Sequence, residues 1–248
     1  GDVPVKAAFF LHVQPRFDLL GALFEREAQS VVSNFDLHTD LVRQLEHQVH
    51  RHFATQGPVR VETDVREGNP LEEILRQSTD LQADLQIAGK SSQRATHGIL
   101  SGNLVRKSRC NTLIVPDQAK PRLKRILVPV DFSLYSVRAL QTAAALAATL
   151  PDSTEVVVSH AYDLPSIMAY RINKTEEELQ TIIENDRRAA LEDFLGNFAP
   201  QLSARCRFEL VRHKETSIPE LIMDLASAQE ADLIVMGAKG HSKVELLL

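Results

Sequence analysis

Chemistry in this chain is concentrated near residues 233–242, Leu-Ile-Val-Met-Gly-Ala-Lys-Gly-His-Ser, where an apolar run passes into a Gly237-x-x-Gly240 loop. Glycines at such a turn let successive backbone N–H groups face an anion without interference from a Cβ. A second group points to the same chemistry. The apolar run Ile126-Leu127-Val128-Pro129-Val130 ends on Asp131. A carboxylate at the carboxyl end of a parallel strand lies where open α/β sheets bind ligands. It could hold a ribose hydroxyl, or a metal ion through water. The alternative is that Gly237 and Gly240 only form a tight turn, since a lone two-glycine loop is weak evidence by itself.

Other reactive side chains read more plainly. His47, His50 and His52 share a charged helical stretch with Glu46 and Arg51, a solvated face rather than a metal site. His12 and His160 close two apolar runs and are expected to line a pocket or to be hydrogen-bonded structural residues. Cys110 precedes an apolar run and reads as a small buried hydrophobe. Ser133 and Ser242 are not in a nucleophile elbow. Gly89-Lys90-Ser91 imitates the end of a phosphate-binding P-loop, but that motif needs glycine at position 84, which is Asp84.

The elements that must position these groups follow from periodicity. Residues 124–130 read as a buried parallel strand, 134–150 as an Ala- and Leu-rich helix, and 155–161 as a second strand. Thr175-Glu176-Glu177-Glu178 forms a capping box. The helix it opens runs to about Phe198, with Leu179, Ile183, Leu191, Phe194 and Phe198 as its apolar stripe. A strand at 206–212, a helix at 218–229 and a strand at 232–236 complete this part. Upstream the pattern predicts strands at 5–13, 59–65, 84–88 and 112–116. Helices are predicted at about 38–55, 70–80 and about 101–109. Alternating strands and helices imply a mostly parallel sheet covered on both faces.

The chain is also an internal repeat. Ala83-Asp84-Leu85-Gln86-Ile87-Ala88-Gly89 recurs as Ala231-Asp232-Leu233-Ile234-Val235-Met236-Gly237, 148 positions later. The same offset places His12 on His160. Asn69-Pro70-Leu71-Glu72-Glu73-Ile74 resembles Ser217-Ile218-Pro219-Glu220-Leu221-Ile222, with the proline slipped by one residue. Three matches in order mean duplication, giving domains 1–116 and 124–248 joined by a polar linker, 117–123, that contains Pro121.

Composition narrows the class. The 248 residues are 44% hydrophobic and 25% charged, with net charge −5, as in a globular protein. The mixed charge argues against a nucleic-acid partner. No apolar run reaches the ~18 residues of a membrane span. Two cysteines outside any CxxC motif make a disulfide framework or cysteine-rich zinc site improbable, and the cytoplasm is the simplest compartment.

The segments 126–133, 159–161 and 236–242 together resemble the three landmark segments of universal stress protein domains. The resemblance implies two tandem α/β domains, each a mostly parallel five-stranded open sheet with helices on both faces, of the adenine nucleotide alpha-hydrolase-like kind. It implies a stress-response protein acting as a binding or regulatory module for an adenine nucleotide, ATP, with Mg²⁺ to offset phosphate charge. On this likeness Pro129, Val130 and Asp131 line the base and ribose, His160 or Ala161 borders the ribose, and Met236, Gly237, Gly240, His241 and Ser242 approach the phosphates. ATP-binding members carry Gly-x2-Gly-x9-Gly-Ser/Thr, and Gly237 and Gly240 match its first two glycines. No dedicated general base is visible, so a slow ATP hydrolase and a non-nucleotide-binding interaction protein stand as alternatives. The resemblance also implies that the two domains pack as an intramolecular pseudo-dimer, with a homodimer as a further option.

The first copy departs from the pattern. Ser92 stands where the second glycine belongs, and Asn103 follows Gly102 where Ser or Thr is expected. This copy is expected to be impaired for ATP. Relative to two full repeats, the sequence lacks the first strand of copy one and the last helix and strand of copy two. A natural chain with about 30 further residues upstream is therefore the expectation. The missing strand is expected to lie centrally, between the second and fourth strands.

Overall fold

The structure is a computed structural model that describes residues 5–14, 37–53, 59–90, 95–120, 122–165, 174–213 and 216–238. They fall into two compact units, one within Val3–Asp117 and one within Gln118–Leu248.

The second unit is built on β5 (Arg125–Pro129), β6 (Glu155–Tyr162), β7 (Cys206–Arg212) and β8 (Leu233–Ile234), all parallel in the order β7-β6-β5-β8. The helices are α4 (Leu134–Thr149), α5 (Glu176–Phe198) and α6 (Ile218–Ala228). The central place of β5 agrees with its composition, because a strand buried on both faces reads as a continuous apolar run. Ile126, Leu127 and Val128 are fully buried. Ile126 and Val128 pack with Leu140, Ala143 and Leu191, while Leu127 packs with Val157 and Ala226 on the opposite face. The start of α5 matches its sequence signal, and α6 opens on a second capping box that the sequence reading did not single out. Thr175 with Glu178, and Ser217 with Glu220, form complete capping boxes. At the amino ends of the strands Glu155 accepts from Arg125 Nε and Arg207 Nε, each at 2.7 Å. The hydrogen bond from Arg207 outweighs burial and holds the Glu155 carboxyl below its usual range. β8 is shorter than the predicted 232–236, but its ladder continues where Val235 N–H donates to Leu127 O at 2.9 Å.

The first unit has β1 (Ala7–Gln14), α1 (Leu37–His52), β2 (Arg60–Glu67), α2 (Pro70–Asp80), β3 (Leu85–Lys90), α3 (Ala95–Lys107) and β4 (Asn111–Pro116). Its strands form two separate parallel pairs, β1-β2 and β3-β4. α3 begins at Ala95, earlier than the predicted 101, despite the low helix propensity of Gly98 and Gly102.

Repeat symmetry survives in detail. α2 and α6 coincide at an offset of 148, and so do β1 and β6. The N-caps Asn69 and Ser217 are equivalent, so the apparent slip is a proline moved within one register. The residues after each helix, Gln82 and Glu230, are also equivalent and sit at φ 50° and 48°. That left-handed conformation favours glycine. Gln82→Gly and Glu230→Gly are each expected to stabilise their unit by about 1 kcal/mol. A denaturant midpoint unchanged or lowered by both would contradict this.

Candidate functional site

One cavity of about 410 Å³ opens in the second unit at the carboxyl ends of its strands. It gathers Pro129, Val130 and Asp131 from β5 and the turn after it, His160 and Ala161 from β6, and Met236 and Gly237 beyond β8. All seven are residues singled out from the sequence. Gly240, His241 and Ser242 lie outside the described residues. Sequence reasoning missed the apolar wall formed by Ile218, Leu221, Ile222 and Leu225 of α6, and also Val211, Ser159 and Ser136. The period of α6 held the signal, because Ile218, Leu221, Ile222 and Leu225 repeat at helical spacing on one face.

Asp131 is fixed by its own turn. Its Oδ1 accepts from Ser133 N–H at 3.1 Å and from Ser136 Oγ at 2.6 Å. Its backbone N–H donates to Ser136 Oγ at 2.9 Å. Ser133 caps α4, its side chain accepting from Ser136 N–H. That role and its burial leave it a structural residue rather than a nucleophile. Between them, Phe132 sits at φ 61°, strained for a residue with a bulky side chain. Its ring compensates by packing on His160, centroids 4.6 Å apart, and edge-on to Phe194 at 5.4 Å.

His160 Nδ1 lies 2.9 Å from Val130 O. A carbonyl only accepts, so Nδ1 carries the proton. Burial, reinforced by the nearby Arg187 cation, pushes the imidazole pKa below its usual value against the opposing effects of Val130 O and Asp131. The ring is therefore neutral near pH 7. Two further groups stand outside the cavity, Tyr162 buried and Cys206 half-buried. Burial, then a hydrogen bond to Glu184, pushes the Tyr162 phenol up to about 12. Burial pushes the Cys206 thiol up to about 11, so it is inert rather than reactive.

The remaining candidates sit elsewhere. His47, His50 and His52 are exposed on α1. Cys110 is half-buried beside Ser108 Oγ at 3.3 Å, more open than the expected buried hydrophobe. Among the described residues no group of three His, Cys, Asp or Glu side chains could hold a metal, and no helix is long and apolar enough to cross a membrane.

The profile of the universal stress protein family matches residues 122–248, just over half of the chain and nearly all of the described second unit. The chain belongs to the universal stress protein family. A universal stress protein from Archaeoglobus fulgidus is similar in fold, with TM-score 0.53, 15% identity, 93% of this chain covered and 74% of the other. A candidate universal stress protein from Pseudomonas aeruginosa is similar at TM-score 0.54 and 16% identity, with 93% and 81% covered. At those identities they bear on fold alone. They bear it out for an α/β chain of parallel strands and helices. No curated protein matches the sequence.

Proposed function

We propose that this universal stress protein binds an adenine nucleotide, ATP, in its second unit and acts as a binding and regulatory module. The observation that carries this reading is the cavity itself. It is apolar along α6, as a purine requires. Its lining also includes Asp131, whose carboxylate can accept from a ribose hydroxyl, and Gly237, the first glycine of the Gly-x-x-Gly sequence suited to phosphate.

In this reading the base lies between Val130 and the α6 wall. Asp131 accepts from a ribose hydroxyl, while Ser133 and Ser136 hold the carboxylate in place. His160, protonated on Nδ1, borders the sugar. The phosphates extend toward Gly237 and the residues Gly240, His241 and Ser242 that follow it in sequence, with Mg²⁺ neutralising their charge. Calorimetric titration of the whole chain with ATP and Mg²⁺ tests this. One equivalent should bind, and GTP should bind more weakly. No heat and no displacement of a fluorescent adenine nucleotide at millimolar ATP would end the proposal.

A further inference from the structure

The cavity of the second unit holds a polar side chain that the fold leaves unused. Among the described residues that line it, Asp131, Ser136, Ser159 and His160 carry polar side chains. Three of them are engaged with the protein. Ser136 Oγ donates to Asp131 Oδ1 at 2.6 Å and accepts from Asp131 N–H at 2.9 Å, and His160 Nδ1 donates to Val130 O at 2.9 Å. The Ser159 hydroxyl makes no hydrogen bond among the described residues. Yet Ser159 is only 4% exposed. Its carbonyl serves the sheet, accepting from Val130 N–H at 2.8 Å.

Strand alternation fixes where that hydroxyl points. Val157 packs with Ala226, Ile222 and Leu225 beneath α6. Side chains two apart on a strand share a face, so Ser159 points the same way. Ile222 and Leu225 continue into the cavity wall. Across the ladder Ser159 faces Pro129 on β5 and Glu209 on β7. The proline ring has no donor, and Glu209 Oε1 already accepts from Arg207 and Gln229. The hydroxyl therefore lies on the floor of the cavity, at the foot of its apolar wall.

The sister unit shows that the fold does not need a polar group there. At the 148-residue offset the equivalent of Ser159 is Leu11, at the same place on β1. On β6 itself the three preceding residues, Val156, Val157 and Val158, are buried hydrocarbon. A buried hydroxyl without a partner is unfavourable, and each one in a native fold calls for an explanation. A bound ligand supplies the missing partner.

We infer that Ser159 is a specificity-determining residue of this cavity: its hydroxyl hydrogen-bonds one polar atom on the edge of the purine ring. The inference rests on the reading that the cavity holds an adenine nucleotide. A hydroxyl can donate to a ring nitrogen or accept from the exocyclic amine, so one atom of adenine satisfies it. Asp131 follows Pro129, the ladder partner of Ser159, by two residues toward the carboxyl ends of the strands. The two groups thus act on different parts of the ligand, Ser159 on the base and Asp131 on the ribose.

Calorimetry of the whole chain and of Ser159→Ala tests this, with ATP and with four ATP analogues that each lack one polar group of the base: the 6-amino group, N1, N3 or N7. Ser159→Ala should weaken ATP binding about three- to tenfold. The loss should vanish for the one analogue that lacks the bonded atom and persist for the other three. Without ligand the variant should melt no lower than the parent, because the hydroxyl has no partner in the fold. Equal ATP affinity in parent and variant overturns the inference, and so does an equal loss for all four analogues. A clearly lower melting point in the variant overturns it too, since the hydroxyl would then serve the fold. The parent's own titration decides the nucleotide reading separately: if the parent binds no ATP, that reading fails and this inference falls with it.

Discussion

If the second unit binds ATP as proposed, Asp131→Asn is expected to lower ATP affinity by about tenfold to a hundredfold while the unit keeps its stability. A hydrogen bond to a charged group contributes about 1.5–3 kcal/mol, which sets that range. Asn keeps an oxygen where Oδ1 accepts from Ser133 N–H and Ser136 Oγ, so the turn into α4 persists. Asp131→Ala should lose both affinity and stability, because Ser133 N–H and Ser136 Oγ then lose their acceptor. Paired calorimetry and thermal melts separate the two effects. If Asn binds ATP as tightly as the parent, the carboxylate does not hold the ribose, even if the cavity holds the base.

The second large effect concerns the core beneath that cavity. Leu140 of α4 is fully buried against Ile126, Val128 and Leu191. Leu140→Ala removes contacts and leaves a void, and is expected to destabilise the second unit by about 2–5 kcal/mol. That is a large share of a typical domain's ~5–15 kcal/mol. Leu134→Ala, in the first turn of the same helix and 75% exposed, should change stability by less than about 0.5 kcal/mol. Amide exchange of β5 and β6 measures both, since these strands open only with the core. Similar effects from the two changes would show that α4 is held by something other than its buried face.

What the sequence determined by itself was local and periodic. The capping residue Thr175, the fully apolar run of β5 and the strand Cys206–Arg212 follow from short-range chemistry, and the structure places them where that chemistry requires. The 148-residue repeat was legible too, because equivalent strands need equivalent apolar patterns. So were seven cavity residues, through the likeness of three short segments to one family. Tertiary structure decided what depends on distant neighbours. Ile218, Leu221, Ile222 and Leu225 read only as an amphipathic helix until the fold laid them over the ends of β5 and β6. Nothing local distinguishes His160 as a residue whose Nδ1 is bound to Val130 O, thirty positions away. Gln77 and Gln86 look like ordinary surface glutamines in the sequence. Only the sheet buries their oxygens, and only comparison with Leu225 and Ile234 shows that polar groups stand where the sister unit packs hydrocarbon.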